Sequence, residues 1–194
     1  RCRLQSRRER IAAGDWQRSP VFSLIEPEFD ELAGRTLVVL GAGSIGRGVM
    51  AVGEAFGMVV VGLTSRSSAE EQEQALRQAD VLCLHAPLTS ATAGLLNAER
   101  LAWLPPGAMV VNMGRGGLVD LDALGAALQS GRLAGAALDV LPQEPPGPEL
   151  DRLLQLPNLV LTPHMGWSSR QARERLVHTL AGHLERYALT RSGL

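Results

Sequence analysis

Six short apolar runs rich in β-branched residues recur along the chain: Thr36–Leu40, Met58–Leu63, Val81–Leu84, Ala108–Asn112, Ala134–Val140 and Leu159–Thr162. Predicted helices Ser44–Phe56, Ala69–Ala79, Ala98–Leu104 and Leu121–Ser130 fill the first four intervals. Their ends are punctuated: Ser68 and Glu71 have capping-box spacing, Asn97 can cap the third helix, and Gly131 can close the fourth. Strands that alternate with helices at this rhythm form βαβ units, whose crossovers bring successive strands parallel, and a parallel sheet needs cover on both of its faces. The prediction is an α/β fold with a doubly wound parallel sheet and helices on both faces.

Beyond Val140 the proline-rich run "LPQEPPGPELDRLLQLPN" predicts a loop with a short helical piece. From Ser169 onward, Leu176, Val177, Leu180, Leu184 and Tyr187 put an apolar stripe on one long terminal helix, which is expected to bury it. The opening "RCRLQSRRERIAAGDW" reads as a basic, solvated helix continuing from something upstream. No repeat or low-complexity segment interrupts the pattern.

A chain of 194 residues with 45% hydrophobic content supports one sizeable core. Nineteen basic residues against twenty acidic ones leave a net charge of -1, which gives no reason to expect nucleic acid or an anionic membrane as partner. No apolar stretch approaches the ~20 residues of a membrane helix, and the arginine-rich start lacks a signal-peptide core. The two cysteines, Cys2 and Cys83, form no CxxC, and Cys83 lies inside "VLCL", where a buried, reduced thiol is expected. These features predict a cytoplasmic protein with small-molecule or protein partners and no metal.

Chemistry enters at "VVLGAGSIGRG", where Gly41, Gly43 and Gly46 have GxGxxG spacing between a strand and a helix. The first glycine permits the tight turn, the second lets a pyrophosphate approach the backbone, and the third lets helix and strand pack closely. Free N–H groups at the helix start then face the phosphates. The sheet is therefore predicted to be Rossmann-type. About 20 residues further on, an NAD-type site places a carboxylate against the ribose hydroxyls. This chain has "VGLTSRSS", with Thr64 where the acid would stand, followed by Ser65, Arg66 and Ser67. An arginine and hydroxyls can bind a 2′-phosphate that a carboxylate would repel, so NADP(H) is predicted as the preferred cofactor, NAD(H) being the other that the site could take.

All strands of a parallel sheet end on one edge, so the residues that follow them gather above one crevice. His85 and Pro87 follow the third strand, Arg115 the fourth, Asp139 and Glu144 the fifth, and His164 the sixth. Hydride transfer to a 2-oxo acid needs such a set. Arginine suits the substrate carboxylate as a planar bidentate donor, histidine supplies the proton, and a carboxylate orients the imidazole. Arg115, His164 and Glu144 are the candidates. His85 is the competing acid, but it follows a more central strand and has no carboxylate in its own loop.

"NMGRGGLVDLDALGAALQSGRLAGAALDVLPQEP", "LTPHMGW" and "ADVLCLHAPLTSATAGLLN" closely resemble the D-isomer-specific 2-hydroxyacid dehydrogenases, a likeness covering the chain from about Gly14 onward. The resemblance implies the triad Arg115, Glu144 and His164, with Asp139 near the nicotinamide carboxamide and Thr92 near the cofactor. Candidate cofactor contacts are Gly41, Gly43, Ser44, Ile45, Gly46, Ser65, Arg66, Ala86, Pro87, Thr92, Met113, Gly114 and Asp139. "HMGWSSRQAR" is similar to the glycerate and hydroxypyruvate branch, and "TSRS" resembles its NADP-using members.

Family members also carry a substrate domain, which this resemblance does not cover. It implies a crossover helix and arm from that domain at residues 1–20, an NAD(P)-binding domain at 21–168 and a C-terminal helix at 169–194. Gly14 to Trp16 would lie in an arm used for dimer contact, which implies a homodimer. The expected substrate is a small 2-oxo or D-2-hydroxy acid of the glyoxylate or hydroxypyruvate kind. The rival expectation is a dinucleotide-binding module without turnover, or a truncated corepressor-like relative.

Overall fold

A computed structural model describes residues 4–25, 28–156 and 158–191. In chain order the elements are α1 (Leu4–Ala12), β1 (Thr36–Leu40), α2 (Ser44–Ala55), β2 (Val59–Leu63), α3 (Ala69–Leu76), β3 (Val81–Leu84), α4 (Ala98–Trp103), β4 (Ala108–Asn112), α5 (Leu121–Gln129), β5 (Leu133–Leu138), α6 (Glu149–Leu154), β6 (Leu159–Leu161) and α7 (Arg170–Arg191). A 3-10 turn at Gly116–Leu118 lies between β4 and α5.

The six strands form one parallel sheet in the order β2-β1-β3-β4-β5-β6. Strand order reverses between β1 and β3, the switch point at which an open α/β sheet leaves its crevice. The predicted caps are present. Ser68 and Glu71 form a reciprocal capping box, Asn97 accepts from the Arg100 N–H, and Gly131 ends α5 at φ 72°.

Helix α3 stops three residues short of the predicted Ala79, because Gln78 and Ala79 tighten onto Ala75 and Leu76 with i→i+3 bonds. Strand β5 starts a residue earlier than predicted and gives out at Leu138, where Asp139 turns its side chain to the neighbouring loop.

The two faces are covered as the sequence pattern predicts, though unequally. Val38, Leu40, Leu82, Leu84 and Val110 are buried under α3, α4, α5 and α6 through Leu76, Leu101, Leu124, Leu128 and Leu153. On the opposite face Leu37, Val39 and Cys83 pack beneath Val49 and Met50 of α2. Each fully buried leucine contributes about 1.5–3 kcal/mol, so the first face carries most of the stabilisation. Burial also pushes the Cys83 thiol up to about 11, which keeps it protonated.

The terminal helix departs from expectation. Leu176, Val177, Leu180, Leu184 and Tyr187 are all more than half exposed, so the stripe is not buried among the described residues. The same holds for Trp16, Val21 and Ile25 of the segment after α1, where Phe22 is 93% exposed.

Candidate active site

The crevice at the C-terminal ends of the strands is built by loops that lean on one another. After β1, Gly41 has φ 105°, and a Cβ there would overlap the backbone of His85 and Ala86, so only glycine lets the first and third loops close together. Gly43 is the N-cap of α2 and has no side chain with which to cap it. A Cβ on Gly43 would meet nothing within 4 Å, which leaves room above the first-turn N–H groups of Ser44, Ile45 and Gly46. Free donors and an open approach suit a pyrophosphate, so these residues fit a dinucleotide.

After β2, the Thr64 N–H donates to the Ser67 hydroxyl and the Arg66 N–H to the Thr64 hydroxyl. Those two hydroxyls hold the turn. Ser65 and Arg66 are exposed, and their side chains make no hydrogen bond or ion pair among the described residues.

After β3, Thr92 braces its own loop: its hydroxyl donates to the Pro87 carbonyl at 2.6 Å and accepts from the Thr89 N–H at 2.8 Å. Among the described residues His85 has no carboxylate partner, and burial lowers its pKa, so it stays neutral. That argues against His85 as the acid.

After β4 comes Arg115. Its guanidinium is exposed and donates through Nη1 to the Gly114 carbonyl at 2.8 Å, and no acid pairs with it among the described residues. Its loop presses on the next one, since a Cβ on Gly116 would overlap the carbonyl of Leu141. The Leu141 N–H in turn donates to Glu144 Oε1 at 2.7 Å.

The remaining oxygen of Glu144, Oε2, lies 2.5 Å from His164 Nδ1. That bond, opposed by burial and helped by the Leu141 N–H, holds the Glu144 carboxyl below the usual carboxylate range. The structure thus pairs the two residues chosen from sequence, although 20 positions separate them. An ionised carboxylate on Nδ1 fixes the proton there and leaves Nε2 for substrate. A cavity of about 620 Å³ opens beside the pair, walled by apolar Leu141, Pro145, Leu150 and Leu161.

His164 has φ 50°, in the left-handed region, and is held there from below. Asp139, 4% exposed, accepts from the Thr162 hydroxyl at 2.5 Å and from the N–H groups of Met165 and Gly166 at 2.9 Å each. Burial works against its charge, yet these three bonds and nearby His164 outweigh it and leave the Asp139 pKa lowered. Its carboxylate is therefore committed to the loop that carries His164.

Asn112, Gly116, Leu141 and Thr162 were not singled out from sequence. Asn112 left one available signal, a polar residue closing an otherwise apolar strand just before a glycine-rich turn. Among the described residues no group of three or more His, Cys, Asp or Glu could hold a metal, and no helix is long and apolar enough to cross a membrane.

Residues 2–166 match the family model described as D-isomer specific 2-hydroxyacid dehydrogenase, NAD binding domain. A glycerate dehydrogenase from Methylorubrum extorquens is 36% identical over 91% of the chain, and the chain spans 57% of that relative's length. A crystal structure of a D-lactate dehydrogenase from Aquifex aeolicus, complexed with NAD and lactic acid, superposes with a TM-score of 0.85 at 27% identity, covering 97% of this chain and 62% of that one. An acyclic imino acid reductase in complex with NADPH and D-Arg superposes at 0.77 with 29% identity, covering 94% and 61%.

Proposed function

This chain belongs to the D-isomer specific 2-hydroxyacid dehydrogenases, as their NAD-binding domain, and from that premise we propose that it forms the cofactor half of an enzyme reducing small 2-oxo acids. The Glu144–His164 pair carries the reading, because its 2.5 Å contact leaves Nε2 of the imidazole to act on a substrate oxygen. Arg115, with no competing acid among the described residues, clamps the substrate carboxylate. Gly41, Gly43, Ser44, Ile45 and Gly46 would hold the dinucleotide, whose reduced nicotinamide would supply the hydride for C2. His164 gives its Nε2 proton to the carbonyl oxygen as the alcohol forms, and Glu144 stabilises the imidazolium from which that proton leaves.

The finer choices rest on particular residues. Ser65 and Arg66, just past β2 and with side chains unpartnered among the described residues, favour NADP(H), and among the similar structures one holds NAD and another NADPH. Glyoxylate or hydroxypyruvate suits the substrate class, in keeping with the glycerate dehydrogenase relative. The exposed segment with Trp16 and Phe22 supports a homodimer contact. In this reading residues 1–20 are a crossover helix and arm, 21–168 the NAD(P)-binding domain and 169–194 a C-terminal helix.

The test is glyoxylate- and hydroxypyruvate-dependent oxidation of NADPH by the full-length protein. His164→Ala should lower kcat by about 10²–10⁴-fold while cofactor affinity holds. Turnover unchanged in that variant would remove the mechanism. Cofactor binding with no turnover of any 2-oxo acid by the parent would favour a binding module instead.

A further inference from the structure

We infer that Asn112 is the positioning residue for Arg115, an inference that rests on Arg115 being the carboxylate clamp. Asn112 ends β4 at 1% exposure, and both ends of its amide are used. Nδ2 donates to the Arg115 carbonyl at 2.9 Å and Oδ1 accepts from the Gly114 N–H at 3.0 Å. The turn of residues 113–115 is thereby folded over the Asn112 side chain.

The guanidinium takes its own bearing from that turn, since its hydrogen bond goes to the Gly114 carbonyl. Asn112 holds the Gly114 N–H and the Arg115 carbonyl, the two groups that flank the Gly114–Arg115 peptide whose carbonyl aims the guanidinium. Asn112 is tied to the histidine side as well, because its main-chain carbonyl accepts the Asp139 N–H at 3.0 Å. Its place in the core thus ties the arginine loop to the strand end that carries the His164 anchor.

No other side chain of this size does both jobs. Aspartate keeps the acceptor for Gly114 but replaces the donor to the Arg115 carbonyl with a repelling oxygen. Alanine strips the Gly114 N–H of its acceptor and leaves the Arg115 carbonyl with the Leu118 N–H alone. Either change frees the guanidinium to point elsewhere and leaves the Glu144–His164 pair in place.

The experiment compares Asn112→Asp, Asn112→Ala and Arg115→Ala with the parent in the full-length protein, with glyoxylate and its methyl ester as substrates. Lost aim penalises the carboxylate substrate alone, whereas general damage penalises both. In Asn112→Asp, KM for glyoxylate should rise about tenfold or more, with KM for the ester and the NADPH Kd changed by no more than about twofold. Hydrogen exchange at the Gly114 amide should quicken in Asn112→Ala about tenfold or more, since its acceptor is gone. An unchanged glyoxylate KM in Asn112→Asp, equal losses with both substrates, or unaltered Gly114 exchange in Asn112→Ala would overturn the inference. Arg115→Ala separates the two levels: an unchanged glyoxylate KM there removes the clamp and this inference with it. A rise there without one in Asn112→Asp removes the positioning role alone.

Discussion

Gly116 and Leu141 lie backbone against backbone, with no space between them for a methyl group. The loop bearing Arg115 and the loop bearing Glu144 are braced at this contact, one residue past the guanidinium and three residues before the carboxylate. Gly116→Ala must push the two apart. The expected cost is about 1–3 kcal/mol, a fall in Tm of roughly 2–10 °C, together with loss of glyoxylate reduction. A thermal melt and an assay check both, and a variant as stable and active as the parent would show that the loops do not depend on each other.

Arg66 offers a test of cofactor choice that leaves the Glu144–His164 pair alone. Removing a guanidinium that binds a 2′-phosphate should weaken NADPH by about 10–100-fold and leave NADH within about twofold, as for a hydrogen bond to a charged group. Fluorescence titration of Arg66→Ala with both cofactors measures this. Equal affinity of parent and variant for NADPH would assign the selectivity elsewhere.

Acid should loosen the crevice before the rest of the sheet. The folded pKa values of Asp139 and Glu144 both lie below their ordinary values of 3.8 and 4.5. The stability they contribute is therefore complete above those values and is lost as pH falls through the lowered folded ones. Glu144→Gln should flatten part of that dependence and also reduce turnover at neutral pH, since an amide cannot stabilise the imidazolium. Denaturant midpoints from pH 6 to pH 3, measured on parent and variant, would show coincident curves if Glu144 played no part.

The sheet was legible because a parallel strand buried on both faces must be apolar along its whole length, and Thr36–Leu40 and Val81–Leu84 announce themselves that way. The meeting of Glu144 and His164 was legible for a related reason, since parallel strands deliver their following residues to one edge. Asn112 was not, because its value lies in two backbone atoms of its own turn, and sequence does not reveal how residues 113–115 curl. Sequence places Asp139 on the crevice, but its bonds to Thr162, Met165 and Gly166 depend on how a loop more than 20 positions away closes over it. For α7 the amphipathic period was readable, while the surface meant to receive it was not.

His164 occupies a left-handed backbone conformation, which costs a side-chain-bearing residue about 1–2 kcal/mol. Asp139 offsets that cost by gripping the two residues that follow, and Glu144 gripping the ring removes its remaining freedom to rotate. The imidazole is thus aimed before any ligand arrives. In the proposed reaction folding, rather than substrate, sets the direction of the proton's flight, and little reorganisation is left for the moment of reaction.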